Sequence, residues 1–230
     1  MQTRPWIVAH RGASRTAPAN TLQAFEAAIR EGADVVELDV RSTSDGRLVV
    51  IHDAKIGGIP IGRLAYHDLK RTMPHVPLLE ETLTALAGRI RLDVELKERG
   101  TEAGALALCR AHLPPGDYII SSFLRTVLRV CRRLDADVPL GFITRRDARA
   151  ALALCRARNW PWLMLEDRLA RPQILERCLK TGVRVMVWTV NDPRRLFSLL
   201  RSHRVSGVVT DVPGAARMIR RRLHTSPLQV

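Results

Sequence analysis

The sequence predicts an α/β fold, a (β/α)8 TIM barrel with a short insertion over the barrel mouth. Three observations predict it. Short apolar runs alternate with amphipathic segments from one end of the 230 residues to the other. Eight such strand–helix units in one chain of this length suit a closed barrel. The rival, a doubly wound open sheet, usually carries a Gly-rich phosphate loop, and no GxGxxG or Walker pattern follows the first run.

The strands fall at 6–10, 35–40, 91–96, 118–121, 140–143, 162–165, 184–188 and 207–210, with β-branched residues filling several of them. After the first strand, Asn20 is a candidate N-cap with Gln23 three residues on. Leu22, Phe25 and Ile29 recur at helical spacing and would face the barrel. Gly32 suits the left-handed position that ends the helix. Residues 48–51 read as a short extra strand. The stretch 55–62, Lys-Ile-Gly-Gly-Ile-Pro-Ile-Gly, reads as a loop or short hairpin, and helix resumes over 79–86. The insertion at about 54–78 should fold over the mouth. Later helices start near Thr101, Leu124, Arg146, Arg171, Pro193 and Pro213, the two prolines suiting a first turn where a missing N–H costs nothing. A single domain over 1–230 is expected, with a disordered tail from about 224 to 230.

A composition of 46% hydrophobic residues supports a full core. No apolar run approaches the roughly 18–20 residues of a membrane span. No signal-peptide apolar stretch precedes the first strand, so a cytoplasmic protein is expected. The net charge of +14 attracts anions and allows peripheral contact with an anionic membrane. No nucleic-acid recognition motif or stacking platform accompanies it, and no obligate protein partner is evident. Cys109, Cys131, Cys155 and Cys178 are separated by 22, 24 and 23 positions, each in an expected helix. They lack zinc spacing and read as small buried side chains at like places in successive units.

In a barrel of this kind the chemistry sits at the C-terminal ends of the strands. His10 and Arg11 end the first strand, and Glu37 and Asp39 end the second. His52 ends the short extra strand, and Asp93, Glu95 and Lys97 share one face of the third barrel strand. Of these, Glu37, Asp39 and Glu95 would repel one another at close range on inward-facing positions, and a hard divalent cation relieves that repulsion. Two imidazoles beside such a cation, with Arg11 at hand, suggest metal-assisted acid–base chemistry on a phosphate or similar anion. Asp211 reads equally as a cap of the last helix or as a catalytic group.

His10-Arg11-Gly12, Pro18-Ala19-Asn20-Thr21, Glu37-Leu38-Asp39-Val40, Asp45-Gly46, His52-Asp53, Glu95-Leu96-Lys97, Ser122-Phe123 and Trp188-Thr189-Val190-Asn191 follow one another in an order and spacing that resembles the glycerophosphodiester phosphodiesterase family. The resemblance runs from His10 to about Pro213. It implies the same barrel and hydrolysis of a glycerophosphodiester to an alcohol and glycerol 3-phosphate. By resemblance Glu37, Asp39 and Glu95 hold a divalent cation, Mg2+ or Ca2+. His10 and His52 are then the acid and base, Arg11 and Lys97 contact the phosphate, and Phe123 and Trp188 belong to the substrate pocket. The implied route has the substrate's own glycerol hydroxyl attack phosphorus, giving a cyclic phosphate that water opens. The sequence does not order the two histidines; the reading taken is His10 as acid and His52 as base. Two departures stand out. Ala19 replaces the usual glutamate, and the segment after His52 is short. A lysophospholipid substrate, or a weakly active barrel that binds phosphodiesters or membranes, is the alternative reading.

Overall fold

The computed structural model describes residues 4–225. In chain order its elements are β1 (Trp6–His10), α1 (Leu22–Glu31), β2 (Val35–Ser42), β3 (Leu48–Val50), β4 (Lys55–Ile56), β5 (Ile59–Pro60), α2 (Tyr66–Thr72) and α3 (Leu79–Leu86). They continue as β6 (Arg91–Leu96), α4 (Glu102–His112), β7 (Tyr118–Ser122), α5 (Arg125–Leu134), β8 (Leu140–Thr144), α6 (Ala148–Ala157), β9 (Trp162–Glu166) and α7 (Pro172–Lys180). The last are β10 (Arg184–Trp188), α8 (Pro193–Leu200), β11 (Gly207–Thr210) and α9 (Pro213–Thr225). The tail expected from about 224 lies outside the described residues past Thr225.

The parallel order β1-β11-β10-β9-β8-β7-β6-β2 closes because β2 pairs back onto β1, with His10 opposite Glu37. All eight expected barrel strands are present. β2, β7, β8 and β9 run further than their apolar runs do, because their neighbours still pair with them: Ser42 with Leu48, Ser122 with Phe142, Thr144 with Leu165, Glu166 with Trp188. Hydrogen bonding, not side-chain polarity, sets those ends.

Side chains alternate along each strand. Val8, Val35, Ile119, Ile143, Met164, Met186 and Val209 fill the barrel interior. Ile7, Ala9, Val36, Leu38, Leu92 and Val94 pack outward beneath the helices. Cys109, Cys131, Cys155 and Cys178 lie buried and unbridged on α4, α5, α6 and α7. Burial pushes the first three thiols up to about 12 and Cys178 to about 11, so they are packing residues and not nucleophiles.

Three local expectations are corrected. Thr21, not Asn20, caps α1: its hydroxyl accepts from the Ala24 N–H. Asn20 is engaged elsewhere. Leu22 then opens the first turn and is exposed, while Ala24, Phe25, Ala27 and Ala28 form the buried stripe. α6 starts at Ala148 and not Arg146, because Asp147 caps it by accepting from the Arg149 and Ala150 N–H groups. Gly32 does close α1, at φ 82°.

The segment after β2 makes β3, antiparallel on the end of β2, then the β4–β5 hairpin and α2. Val49, Ile51, Ile61, Leu69 and Val76 form a small core of their own there. It stands beside the C-terminal end of β2 and places His52 at the mouth.

Candidate active site

The chain leaves β1 through a sharp turn in which Arg11 has φ 56° and Gly12 φ 84°. That turn aims the Arg11 N–H at Glu37 Oε2, 2.8 Å away. A Cβ on Gly12 would lie 2.6–2.7 Å from the backbone and Cβ of Ala24 in α1. Gly12→Ala is therefore expected to cost about 2–5 kcal/mol, from the left-handed backbone and the overpacking together. Urea unfolding would measure it, and a loss under about 1 kcal/mol would remove the turn as a constraint on the site.

The strand register sets Glu37 beside Asp93 and Asp39 beside Glu95, all four buried. Glu37, Asp39 and Glu95 each offer an oxygen, these three atoms lying within 4.8 Å of one another. Asp39 Oδ1 and Glu95 Oε1 accept no hydrogen bond of normal geometry and are met by Lys97 Nζ at 3.1 and 2.7 Å. Arg11 Nε lies 3.0 Å from Asp39 Oδ2. Burial, with Asp39 and Glu95 as like-charged neighbours, holds Glu37 well above the usual carboxylate range. Burial likewise raises Glu95 and Asp93 to about 7 each. Asp39 goes the other way: Lys97, Arg11 and the Asn20 amide outweigh its burial and lower it. A closely packed oxygen cluster with under-satisfied buried acceptors suits a hard divalent cation.

The histidines are held differently. His10 Nδ1 is 2.7 Å from Asp211 Oδ1, which also accepts from Ser14 Oγ at 3.1 Å. Asn191 Nδ2 donates to Asp211 Oδ2 at 2.6 Å, and Asn191 Oδ1 accepts from the Asp211 N–H. These contacts outweigh burial and hold Asp211 at about 2. An ionised carboxylate only accepts, so His10 donates through Nδ1 and keeps Nε2 for the substrate side. His52 is more exposed, its Nδ1 2.9 Å from Asp53 Oδ1. Its carbonyl accepts from Arg41 Nε at 2.9 Å, and Arg41 is pinned by Glu98 at 3.1 Å.

His10, Arg11, Glu37, His52, Glu95, Lys97, Phe123 and Trp188 all line one cavity of about 370 Å³. Asp39, the remaining site residue expected from the sequence, lies just behind it, fully buried. Phe123 and Trp188 meet edge to face, 5.5 Å between ring centroids, and Trp188 Nε1 donates to the Met164 carbonyl. The cavity is divided: β1, β2 and β6 supply charge, while Ile143, Met164, Trp188 and Val209 give the opposite wall an apolar character.

Four residues of the site carry roles the sequence did not assign. Asn20 at φ 60° donates to Asp39 Oδ2 at 2.8 Å and accepts from the Asp39 N–H, so it fixes that carboxylate. Asp211 orients His10, Asn191 orients Asp211, and Arg41 fastens the His52 loop. Asn20 was open to detection: Thr21 beside it is an equally good cap. Ala19 is exposed at the surface one residue before it.

Residues 10–85 and 91–215 match the Glycerophosphoryl diester phosphodiesterase family. A glycerophosphodiester phosphodiesterase of Caldanaerobacter subterraneus is 27% identical over 90% of this chain and 94% of its own length. The crystal structure of glycerophosphodiester phosphodiesterase from Agrobacterium tumefaciens superposes with a TM-score of 0.82 at 27% identity, covering 93% of this chain and 99% of that one. The enzyme of the same description from Thermotoga maritima gives 0.83 at 25%, covering 96% and 99%.

Proposed function

Because the chain belongs to the glycerophosphoryl diester phosphodiesterase family, we propose that it hydrolyses a glycerophosphodiester to an alcohol and glycerol 3-phosphate, using a divalent cation and two histidines. The observation that carries this reading is the convergence of Glu37 and Glu95, backed by Asp39, with His10, His52, Arg11 and Lys97 on one cavity. A magnesium or calcium ion bound by Glu37, Asp39 and Glu95 supplies charge neutralisation and polarisation of phosphoryl oxygen.

The chain's own groups do the rest. Arg11 and Lys97 present fixed positive charge to the phosphate oxygens as they gain charge. His52, near solvent, takes the proton of the attacking hydroxyl. His10 gives a proton to the alcohol oxygen as its bond to phosphorus breaks, and water then opens the resulting cyclic phosphate to glycerol 3-phosphate, the two histidines exchanging roles. Asp211 keeps the His10 ring in one orientation and balances its charge while it holds that proton. The half-buried, hydrogen-bonded His10–Asp211 pair suits the acid, which must meet the leaving oxygen in one geometry; the more exposed His52 suits a base that exchanges protons with water.

The direct test measures glycerol 3-phosphate released from glycerophosphoglycerol and glycerophosphocholine with Mg2+, Ca2+ or EDTA. Release with a cation and none with EDTA is expected. No release from either diester with either cation would overturn the reading.

Thermal stability gives a second expectation, free of turnover. Asp93 and Glu95 at about 7, and Glu37 above its usual range, are raised over an unfolded value of about 4. The folded state therefore binds the extra protons. The stability they contribute is complete below about pH 4 and is lost as pH rises through about 7. A bound cation replaces those protons. In EDTA the melting temperature should fall from pH 6 to pH 8, and the rise on adding Mg2+ or Ca2+ should grow over the same interval. A cation shift of equal size at both pH values would remove the carboxylate cluster as the binding site.

A further inference from the structure

The apolar wall of the cavity carries one charged lining residue, Arg145, just past the end of β8. It stands 5.9 Å from the Phe123 ring centroid, and Lys97 Nζ stands 5.7 Å from the same ring. Phe123, Ile143 and Arg145 also bound a second cavity of about 370 Å³ that opens beyond the first, with Arg125 and Arg146 on its walls. Its one carboxylate, Asp147, is committed to the N-terminus of α6, accepting at 2.9 and 3.0 Å.

Some surface arginines elsewhere are paired with carboxylates. Arg110 pairs with Asp135, Arg195 with Asp167, Arg204 with Glu176 and Arg220 with Asp34. Among the described residues no carboxylate lies within ion-pair distance of Arg125, Arg145 or Arg146. Three unmatched guanidinium groups around a concavity next to a phosphoester site leave a local excess of positive charge, which a cleft concentrates.

The same arrangement argues against a cationic alcohol. A quaternary ammonium is held by free aromatic faces, with a carboxylate to balance it. Here the Phe123 ring already has two cations beside it, its partner Trp188 meets it edge to face, and among the described residues no unengaged carboxylate lines this side.

We infer that Arg125, Arg145 and Arg146 form an anion-selective arm of the substrate cavity, so that the preferred glycerophosphodiester is one whose alcohol carries a further anionic group. This rests on the phosphodiesterase reading for its catalytic meaning, though not for its binding. Arg145, shared by both cavities, is the specificity-determining residue, and the planar guanidinium suits bidentate capture of phosphate or carboxylate oxygens.

The test uses three diesters that share the glycerophospho half: glycerophosphocholine, uncharged glycerophosphoglycerol, and glycerophosphoglycerol bearing a terminal phosphate. kcat/KM is measured at low salt with a divalent cation, and binding by calorimetry in EDTA. In both measurements the phosphate-tipped diester should exceed the uncharged one by about tenfold or more, and the choline diester should fall below it. Arg145→Glu should invert the order, and salt should compress it. Arg129→Glu, an exposed site of the same charge change on α5, should leave the order standing. Equal affinities, no binding of the phosphate-tipped diester, or an order that Arg145→Glu does not disturb would overturn the arm. Ranked binding without cleavage of any diester would instead overturn the phosphodiesterase reading and leave the arm in place.

Discussion

Glu37→Gln is expected to cut glycerophosphodiester turnover by at least about 10³-fold while raising the melting temperature of the cation-free protein. The activity loss follows from the donor set. One of three carboxylates close enough to share a cation becomes a neutral amide, and forfeiting about 4 kcal/mol of charge stabilisation in the transition state is a thousandfold. The stability gain follows from burial. Glu37 lies in the interior with Asp39, Asp93 and Glu95 around it, and its one hydrogen-bond donor is the Arg11 N–H. Glutamine still accepts that N–H through its carbonyl and brings no charge. Relief of about 1–2 kcal/mol, or about 2–8 °C, is the expected scale. Activity and melting scans in EDTA on one preparation decide it. An active variant would detach Glu37 from the chemistry, and an inactive but destabilised one would make it a structural residue.

His10→Ala should lower kcat by about 10²- to 10⁴-fold, the usual worth of a positioned proton donor. Asp211→Asn should approach that loss though it leaves the imidazole present. The amide can offer His10 a donor or a weaker acceptor, and Asn191 and Ser14 were arranged around a carboxylate. The loss should fall on kcat more than on KM, since Asp211 acts through His10 and touches no substrate. Combining the two should be no worse than His10→Ala alone, because the carboxylate has nothing left to orient. Additive losses in the double variant would show Asp211 serving some other part of the reaction.

The barrel was legible because its evidence is local. Apolar runs, first-turn prolines and the glycine at the end of α1 each act within a few residues. Glu37, Asp39, Glu95 and Lys97 were legible for a related reason, that spacing by two on a strand fixes a shared face wherever the strand goes. What stayed hidden acts across the fold. His10 and Asp211 are 201 positions apart and meet because β11 closes against β1. Asn20 reaches Asp39 across 19 positions, and in the sequence it competes with Thr21 for the same capping role. Arg145, Arg125 and Arg146 look like any other arginines in a chain of charge +14. Their meaning lies in the cavity they share beside the site, which only packing reveals.

The split of the cavity into a charged wall on β1, β2 and β6 and an apolar wall on later strands separates two inheritances within one gene. On the proposed reading the reacting groups lie before residue 100, with Asp211 behind His10, and the wall from Phe123 onward is left for the alcohol. Mutations can therefore explore new customers without disturbing the bond-breaking machinery, and a barrel divided in this way can diversify its diet faster than its chemistry.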